Sequence, residues 1–408
     1  MQSVLHKLWL YRIPVVNIIL VVNALCWYLH LFSFLKNNSV FVGTDLVLIV
    51  GFNLLAVSLS AILSSKLIQK VKNRLKFLMY WMIIGAFLSP LYILIGNNSF
   101  LCVAFLGCIF GIYFGIGSPV LMGYYSGSTE DTHRGKISGL TIFLTFTCII
   151  AFGLADLSAL QLAIIMTAWK LCGVFAVVLL KPPDFEFSEK EPVSYKSVLT
   201  SRPMLLYFIP WLMFSIVNNF AFPVLYVIFP IGLVNLVSMV ELLLAGVLAI
   251  VFGSLADRLG RKRLIFFGFV MLGLGYAILS LLPDYNSGLY FYTVADSIAW
   301  GIFSPLFLLT IWGDMAEKKN CEKFFAIGFL PYILSNFLQV VFGHYVANSI
   351  TNFTVVFSFA SFFLFITVVP LYLAPETMSE EERKDKELQR YISKAKRMTE
   401  KAVKPSNK

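Results

Sequence analysis

The chain has 408 residues, of which 59% are apolar and only 13% carry a charge, and its mean hydropathy is +0.81. Soluble domains average about 45–50% apolar and about 25% charged residues. Because one membrane crossing uses about 20 apolar residues, the apolar content of this chain suffices for about twelve crossings. The six cysteines lie mostly inside apolar runs. Together these features exclude a soluble enzyme, a disordered chain and a disulfide-stabilised scaffold. The net charge of +10 is less informative than the positions of the basic residues along the chain.

Apolar runs long enough to cross a membrane follow one another in two sets of six, numbered here as spans 1 to 12. The first set covers 13–35, 41–65, 77–96, 99–124, 136–156 and 159–180. The second set covers 204–228, 231–252, 264–282, 288–312, 324–347 and 351–373. Lipid offers no hydrogen bonds to the backbone, so each run is predicted to be an α-helix. The predicted domains are an N-terminal six-helix bundle (1–180), a cytoplasmic linker (181–202), a C-terminal six-helix bundle (203–373) and a charged cytoplasmic tail (374–408).

Lysine and arginine are distributed unevenly between the two sides of this arrangement. Of the 32 basic residues, thirty lie in the N-terminal segment, in the connections that follow even-numbered spans, and in the tail. Lys36 lies on the opposite side, and Lys170 lies inside span 6. Basic residues are retained on the cytoplasmic side of a membrane. The sequence therefore predicts a multi-pass protein of the plasma membrane with both termini in the cytoplasm, and a lipid bilayer as its partner instead of nucleic acid.

The two sets of six are related by an internal repeat with an offset near 188 residues. Gln69 in the loop after span 2 matches Asp257 in the loop after span 8, and Lys70 matches Arg258. Parallel repeats of six helices predict two bundles that face each other across a central cleft, as in an alternating-access carrier.

The loop after span 8 carries the most specific motif in the chain. It reads Gly253-Ser-Leu-Ala-Asp-Arg-Leu-Gly-Arg-Lys262. This run resembles the loop signature of the major facilitator superfamily, and the arrangement of six plus six spans matches that family over residues 1–373. The resemblance implies an all-α integral membrane fold with 12 transmembrane helices in two pseudo-symmetric six-helix bundles. The copy in the first half departs from the signature, because Gln69 stands in place of the acid.

The resemblance also implies a conformational switch at this loop. Asp257 would lie at the N-terminus of span 5 in the opposite bundle, where free N–H groups favour a negative charge. Arg261 would pair with Asp314 at the cytoplasmic end of span 10, so that the contacts close the cytoplasmic side in one state. The alternative is a basic loop that only fixes the topology. The residues of the predicted switch are Gly253, Asp257, Arg258, Gly260, Arg261, Lys262 and Asp314.

Three ionisable residues fall inside predicted spans: Glu241 in span 8, Asp296 in span 10 and Lys170 in span 6. A charge at the bilayer centre costs at least about 2.5–3.5 kcal/mol. We therefore expect each of these residues to have a structural or functional role that offsets this cost. We interpret them as candidates for proton coupling or for binding the solute. The alternatives are water-filled vestibules or local hydrogen bonds for the two acids, and an internal partner or snorkelling for the lysine.

Amide and aromatic side chains inside the spans form a second group of candidates. In the resembled fold, helices 1, 4, 7 and 10 line the cavity, which favours several of these residues as ligands of the solute. Amides together with rings suit a neutral hydroxylated or amphiphilic molecule, whereas the alternative role of the amides is to hold helices together. The predicted substrate-binding residues are Asn23, Trp27, Tyr113, Asn218, Asn219, Trp300, Asn336 and Gln339.

No pattern in the chain indicates catalysis, a cofactor or a metal site. A glycine-rich phosphate-binding loop is lacking, and the four histidines have no metal-ligand spacing. We therefore expect a non-enzymatic, monomeric secondary transporter or facilitator that moves a small solute by alternating access. A sugar-like or organic solute is favoured, and proton coupling is an open option. The alternatives are a drug or metabolite exporter of the same fold and a non-transporting membrane sensor on a transporter scaffold.

Overall fold

A computed structural model describes residues 2–36, 41–96, 99–155, 157–182, 193–316, 320–349 and 352–378. Side chains are described within these ranges from Ile13 onward, except for 344–349. All regular secondary structure in the described residues is helical. Residues 183–192 of the predicted linker and 379–408 of the predicted tail lie outside the described residues.

The first set of six contains helices α1 (Gln2–Lys36), α2 (Thr44–Leu67), α3 (Arg74–Leu88), α4 (Phe100–Ser128), α5 (Arg134–Leu154) and α6 (Ala159–Leu180). A 3₁₀ segment, Ser89–Gly96, extends α3. The second set begins with α7 (Arg202–Ile228), α8 (Ile231–Leu259), α9 (Arg261–Leu281) and α10 (Asn286–Met315). It ends with α11 (Cys321–Gly328 and Leu330–Ser349) and α12 (Phe353–Ile366 and Val368–Leu373). A short linker helix, Tyr195–Thr200, precedes α7.

Within the described residues, twelve segments are long and apolar enough to cross a membrane. Each coincides with a predicted span to within a few residues, so the prediction of twelve transmembrane helices is confirmed. Local sequence sets the ends of several helices. Ser158 and Gln161 form a capping box at the start of α6, and the Asn73 side chain accepts a hydrogen bond from the Lys76 N–H at the start of α3.

The packing of the helices repeats between the two sets. In the first set α2 packs on α4, α3 on α6 and α1 on α5, and in the second set α8 packs on α10, α9 on α12 and α7 on α11. The same partners thus recur at corresponding positions, which agrees with the internal repeat. The two sets contact each other along α5 and α8 and, less extensively, along α2 and α11.

Glycines allow α5 and α8 to approach at the level of their backbones. A Cβ atom on Gly253 would lie 2.3 Å from the carbonyl oxygen of Gly135, and one on Gly139 would lie 2.2 Å from that of Ala249. No side chain fits into such a gap. This contact brings the end of α8 against the start of α5.

We call the end of the molecule at which Arg74, Arg134, Asp257 and Asp314 lie the latch face. It is the face that the distribution of basic residues predicts to be cytoplasmic. Large apolar side chains such as Leu59, Phe87 and Leu179 are exposed on the outer surfaces of the helices, as expected for surfaces that contact lipid. The end of α1 at Lys36 marks the opposite face.

Candidate functional site

A cleft with about 750 Å³ of empty space, including its open mouth, lies between the two sets of helices. Residues of α1, α4 and α5 form one side, and residues of α10 and α11 form the other. The lining residues are Leu25, Tyr28, Leu29, Phe32, Phe114, Ile142, Thr145, Phe146, Trp300, Ser304, Leu308, Phe329, Tyr332, Ile333 and Asn336. Among these described residues none carries a charge. We call this space the central cavity.

Aromatic rings cover both sides of the central cavity. Tyr28 stacks on Phe114, with ring centroids 3.8 Å apart and planes within 8° of parallel. On the other side, Trp300 lies edge-on to Tyr332 at 6.1 Å. The cavity therefore offers flat apolar surfaces to a solute from both sets of helices.

Most of the polar groups in the wall already have partners in the protein. The Tyr28 hydroxyl donates to Asn53 Oδ1 at 2.8 Å, and the Thr145 hydroxyl donates to the Thr141 carbonyl of the same helix at 2.8 Å. Asn336 Nδ2 donates to the Tyr332 carbonyl at 2.8 Å. Ser304 differs from them, because its side chain is fully buried and its hydroxyl has no hydrogen-bond partner in the structure.

Of the eight predicted substrate-binding residues, Trp300 and Asn336 lie in the cavity wall. The structure places the three from the first set within the packing of that set. Asn23 donates to the Trp169 carbonyl, and Trp27 Nε1 donates to the Ser89 hydroxyl at 2.8 Å. Tyr113 is buried against Trp81, with ring centroids 5.1 Å apart.

The remaining three predicted residues make polar contacts elsewhere in the second set. Asn218 accepts a hydrogen bond from Tyr276 at 2.8 Å, and Asn219 donates to the Ser335 hydroxyl at 3.0 Å. Gln339 accepts a hydrogen bond from Lys36 Nζ at 2.6 Å. This last bond joins α1 to α11 at the opposite face.

Lys170 is fully buried within the first set and lies among aromatic rings. Its Nζ lies 4.8 Å, 4.9 Å and 5.3 Å from the ring centroids of Trp27, Trp81 and Tyr113. The Sδ atom of Met82 lies 3.8 Å away, and among the described residues Lys170 forms no ion pair. The ring faces attract the ammonium group electrostatically. We call this arrangement the Lys170 cage; none of its three rings lines the central cavity.

Glu241 on α8 and Asp296 on α10 lie within hydrogen-bonding reach of each other, and we call them the carboxyl pair. Asp296 is 1% exposed. Its Oδ2 atom accepts a hydrogen bond from the Tyr292 hydroxyl at 2.8 Å, and the Asn218 side chain also lies within hydrogen-bonding reach of the carboxylate. The Tyr292 hydroxyl lies 3.2 Å from that of Tyr276. The sequence predicted two separate polar positions, and the structure brings them together.

Helix α10 connects the carboxyl pair to the central cavity. Trp300 follows Asp296 by one helical turn, and Ser304 and Leu308 continue the same row into the cavity wall. Residues Ser304–Leu308 form a π-helical turn. Such turns are rare and are often found at functional sites.

The loop signature lies where the resemblance implied. Both carboxylate oxygens of Asp257 accept hydrogen bonds from the start of α5, from the N–H groups of Gly135 and Lys136 at 2.9 Å each. Gly260 has a φ of +94° and ends α8 in a conformation that favours glycine.

Asp314 forms ion pairs with two buried arginines, Arg261 and Arg134. The Arg261 partner was predicted from the sequence, but Arg134 was not considered for this role. Arg134 also pairs with Asp131 and donates to the Ser126 carbonyl at 2.7 Å. Since Arg134 begins α5 and Asp314 ends α10, their pair joins the two sets of helices at the latch face.

The other basic residues of the signature occupy different surroundings. Arg258 is exposed. Lys262 Nζ donates to the carbonyls of Tyr372 and Ala374, at 2.8 Å and 2.7 Å, and so attaches α9 to the end of α12. The Glu376 carboxylate accepts a hydrogen bond from the Arg261 N–H at 2.9 Å and caps the start of α9.

The first half of the chain makes its own contact at the latch face, with the charges reversed. The guanidinium of Arg74 at the start of α3 pairs with Glu322 in the first turn of α11, at 2.9 Å, and both side chains are buried. In the first half, Gln69 occupies the acidic position of the signature, and the acid at this contact comes from the other set of helices instead. Gln69 itself contacts Asn320. Glu322 stands beside Lys323, which follows Arg134 by 189 residues and so falls close to the offset of the repeat, and this position was the available signal in the sequence.

Known proteins share both sequence features and the fold with this chain. The model of the Major Facilitator Superfamily matches residues 204–405. The human organic anion transporter MFSD10 has a similar structure, with a TM-score of 0.65 and 12% identity over 89% of this chain and 99% of that chain. The proton:xylose symporter XylE gives a TM-score of 0.64 with 14% identity over 92% of this chain and 98% of that chain.

The transporter FucP in its outward conformation gives a TM-score of 0.68 with 10% identity over 90% of this chain and 100% of that chain. A comparison with curated protein sequences gives no match. The family model covers the second set of helices, and the structural likeness extends the same twelve-helix fold over the first set. Residues 204–405 therefore match the major facilitator superfamily of membrane transporters, and the chain as a whole has the twelve-helix fold of that family.

Proposed function

We propose that the protein is a proton-coupled secondary transporter, which moves a small organic solute through the central cavity by alternating access. The observation that carries this proposal is the course of α10. This one helix contributes Asp296 to the carboxyl pair, Trp300 and Ser304 to the cavity wall, and Asp314 to the latch face. A conformational change at any of these levels is therefore transmitted along this one helix.

Among the described residues, more ion pairs and hydrogen bonds join the two sets at the latch face than at the opposite face. Asp257 binds the start of α5, Asp314 pairs with Arg134, and Arg74 pairs with Glu322. At the opposite face the hydrogen bond between Lys36 and Gln339 joins α1 to α11. Opening toward the cytoplasm requires the latch-face contacts to break. Opening toward the outside requires the hydrogen bond between Lys36 and Gln339 to break. The proposal assigns the latch face to the cytoplasm because the basic residues lie there.

The carboxyl pair provides a place for the coupled proton. Two adjacent carboxylates repel each other strongly in an apolar environment, so they are best accommodated when they share a proton. One oxygen of Asp296 is already held by the hydrogen bond from Tyr292, and the Glu241 carboxyl lies within reach of the same carboxylate. A movement of α10 relative to α8 would separate the carboxyls and favour release of the proton. Solute movement and proton movement are then linked through this helix.

The experiment uses the full-length protein in liposomes that contain a pH-sensitive dye. A panel of sugars, organic acids and neutral aromatic solutes is added outside, with and without an imposed pH gradient. We expect at least one solute to drive proton movement, and we expect Asp296→Asn and Glu241→Gln each to abolish it. Asp45→Asn is the matched control, because Asp45 is exposed in the first turn of α2.

Two results would contradict parts of the proposal. Solute uptake with unchanged proton movement in both amide variants would remove the carboxyl pair from coupling. A protein that binds a solute from the panel but moves none of them across the liposome membrane would be a sensor on a transporter scaffold.

A further inference from the structure

We infer that the solute is an uncharged, largely apolar molecule that contains a flat ring and one hydrogen-bonding group. This inference rests on the proposed function, since it names the class of molecule that the central cavity carries. The sequence favoured a sugar-like or organic solute on the basis of amides in the spans. In the structure most of those amides lie outside the cavity wall. This position favours an apolar organic solute over a sugar-like one.

The first argument is the absence of charge in the wall. Among the described residues that line the cavity, none is acidic, basic or a histidine. Lys170, a buried cation of the first set, lies in a cage of three rings that do not line the cavity. A solute with a full charge would lose its hydration here without gaining a partner of opposite charge, which opposes its binding.

The second argument is the small number of free hydrogen-bonding groups. The hydroxyls of Tyr28 and Thr145 donate to other protein groups, and the Asn336 amide donates within α11 and lies within hydrogen-bonding reach of the Tyr332 hydroxyl. A sugar carries a hydroxyl on almost every carbon, and each buried hydroxyl without a partner opposes binding. The described wall offers too few polar groups to satisfy all of them.

The third argument is the position of Ser304. Its side chain is fully buried in the cavity wall, and its hydroxyl has no hydrogen-bond partner among the described residues. Buried polar groups are nearly always hydrogen-bonded, so an unpaired hydroxyl that lines a cavity indicates a ligand group at that position. It lies on the π-helical turn of α10, and rings from both sets of helices line the same cavity. A ring seated between Phe114 and Trp300 with one polar substituent toward Ser304 satisfies all of these features.

The lining of the cavity agrees with a molecule of this kind. Cavities that bind small organic molecules are lined mainly by hydrophobic and aromatic residues, with a few placed polar groups. The residues that line this cavity have the same composition.

The test measures binding instead of transport, with full-length protein in lipid nanodiscs. The probes are 2-naphthol, naphthalene, 2-naphthoate and glucose, and empty nanodiscs correct for partition into lipid. We expect saturable binding of 2-naphthol, weaker binding of 2-naphthoate and no binding of glucose. Ser304→Ala is expected to weaken 2-naphthol binding about fivefold, the effect of one net hydrogen bond, and to leave naphthalene binding unchanged.

Two further variants separate the cavity from the lipid-facing surface. Tyr332→Ala removes a ring from the cavity wall and is expected to weaken both ring-containing probes. Phe87→Ala removes an exposed ring from the outer surface of α3 and is expected to change neither. Each variant is compared with the wild type by size-exclusion chromatography, so that misfolded protein is excluded from the comparison.

Preferential binding of glucose or 2-naphthoate would overturn the inference, and so would 2-naphthol binding that is equal in wild type and Ser304→Ala. Failure here can be told apart from failure of the proposed function. Binding of 2-naphthol without any flux in liposomes would contradict transport but leave the ligand class standing. Flux of a sugar with no 2-naphthol binding would overturn the ligand class but leave transport standing.

Discussion

Arg134 at the start of α5 and Asp314 at the end of α10 form a buried ion pair between the two sets of helices. Asp314 is shared with Arg261, which follows the loop signature after α8. One carboxylate thus holds a guanidinium from each set. Removing a single member of a buried charge cluster leaves an uncompensated charge, which is strongly destabilising for the state that contains it.

The first prediction concerns Asp314. We expect Asp314→Asn to destabilise the state with a closed latch face by about 3–5 kcal/mol, because two buried arginines lose the acid that they share. The measurement is the labelling of a cysteine introduced at Ile142 in the cavity wall, with a reagent added on the cytoplasmic side and the native cysteines replaced. The labelling rate is expected to rise at least tenfold.

Arg258→Gln is the matched control for this experiment, because Arg258 belongs to the same signature but is exposed. It removes one unit of charge from the loop and is expected to leave labelling unchanged. Equal labelling of wild type and Asp314→Asn would show that the cluster has no part in closing this face.

The second prediction concerns the contact with reversed charges in the first half. Arg74→Glu and Glu322→Arg should each open the latch face, because each places two like charges together in a buried position. The double variant Arg74→Glu/Glu322→Arg should restore most of the closure, and a double-mutant cycle on the labelling rate measures the coupling. Restoration will be incomplete, since Arg74 also donates to the carbonyls of Ile68 and Val71. Strictly additive effects of the two single variants would argue against a direct pair.

The third prediction concerns the close approach of α5 and α8. In Gly139→Ala the new Cβ atom would lie 2.2 Å from the Ala249 carbonyl oxygen, so the two helices must move apart. We expect increased cytoplasmic labelling at Ile142 and lower thermal stability. Gly153→Ala, on the same helix, is the control, because a Cβ atom added there would meet no heavy atom of the described residues within 4 Å. Equal behaviour of the two variants would mean that the backbone contact does not limit opening.

The sequence was sufficient to predict the helices because each apolar run must satisfy its own backbone in lipid. The same property explains what it missed. A membrane helix is apolar on all sides, so the periodicity that reveals the buried face of a soluble helix is weak. The sequence therefore does not tell which way the side chains of Asn23 and Asn218 point. In the structure both lie between packed helices and not in the cavity wall.

Contacts between the two sets were predictable only where a motif carried them. The loop signature placed Asp257 near α5 through the resemblance, whereas the Arg74–Glu322 pair has no such motif. The two residues are 248 positions apart in the chain, and only the folded arrangement brings α3 and α11 together. Glu241 and Asp296 were likewise predicted one at a time, because their proximity depends on the rotation of α8 against α10.

The last prediction concerns Lys170, which the sequence placed among the candidates for coupling. Its ammonium lies in the cage formed by Trp27, Trp81 and Tyr113, away from the central cavity and the carboxyl pair. We therefore expect Lys170→Met to retain solute uptake and proton movement, because methionine fills a similar volume and keeps the rings apart. Lys170→Ala leaves a void and is expected to lower stability by about 2–5 kcal/mol, the cost of deleting a long buried side chain. Thermal unfolding and the liposome assay on the same preparations separate the two effects. Loss of proton movement in Lys170→Met at unchanged stability would instead make the lysine a coupling group, and the carboxyl pair would then not be sufficient for coupling.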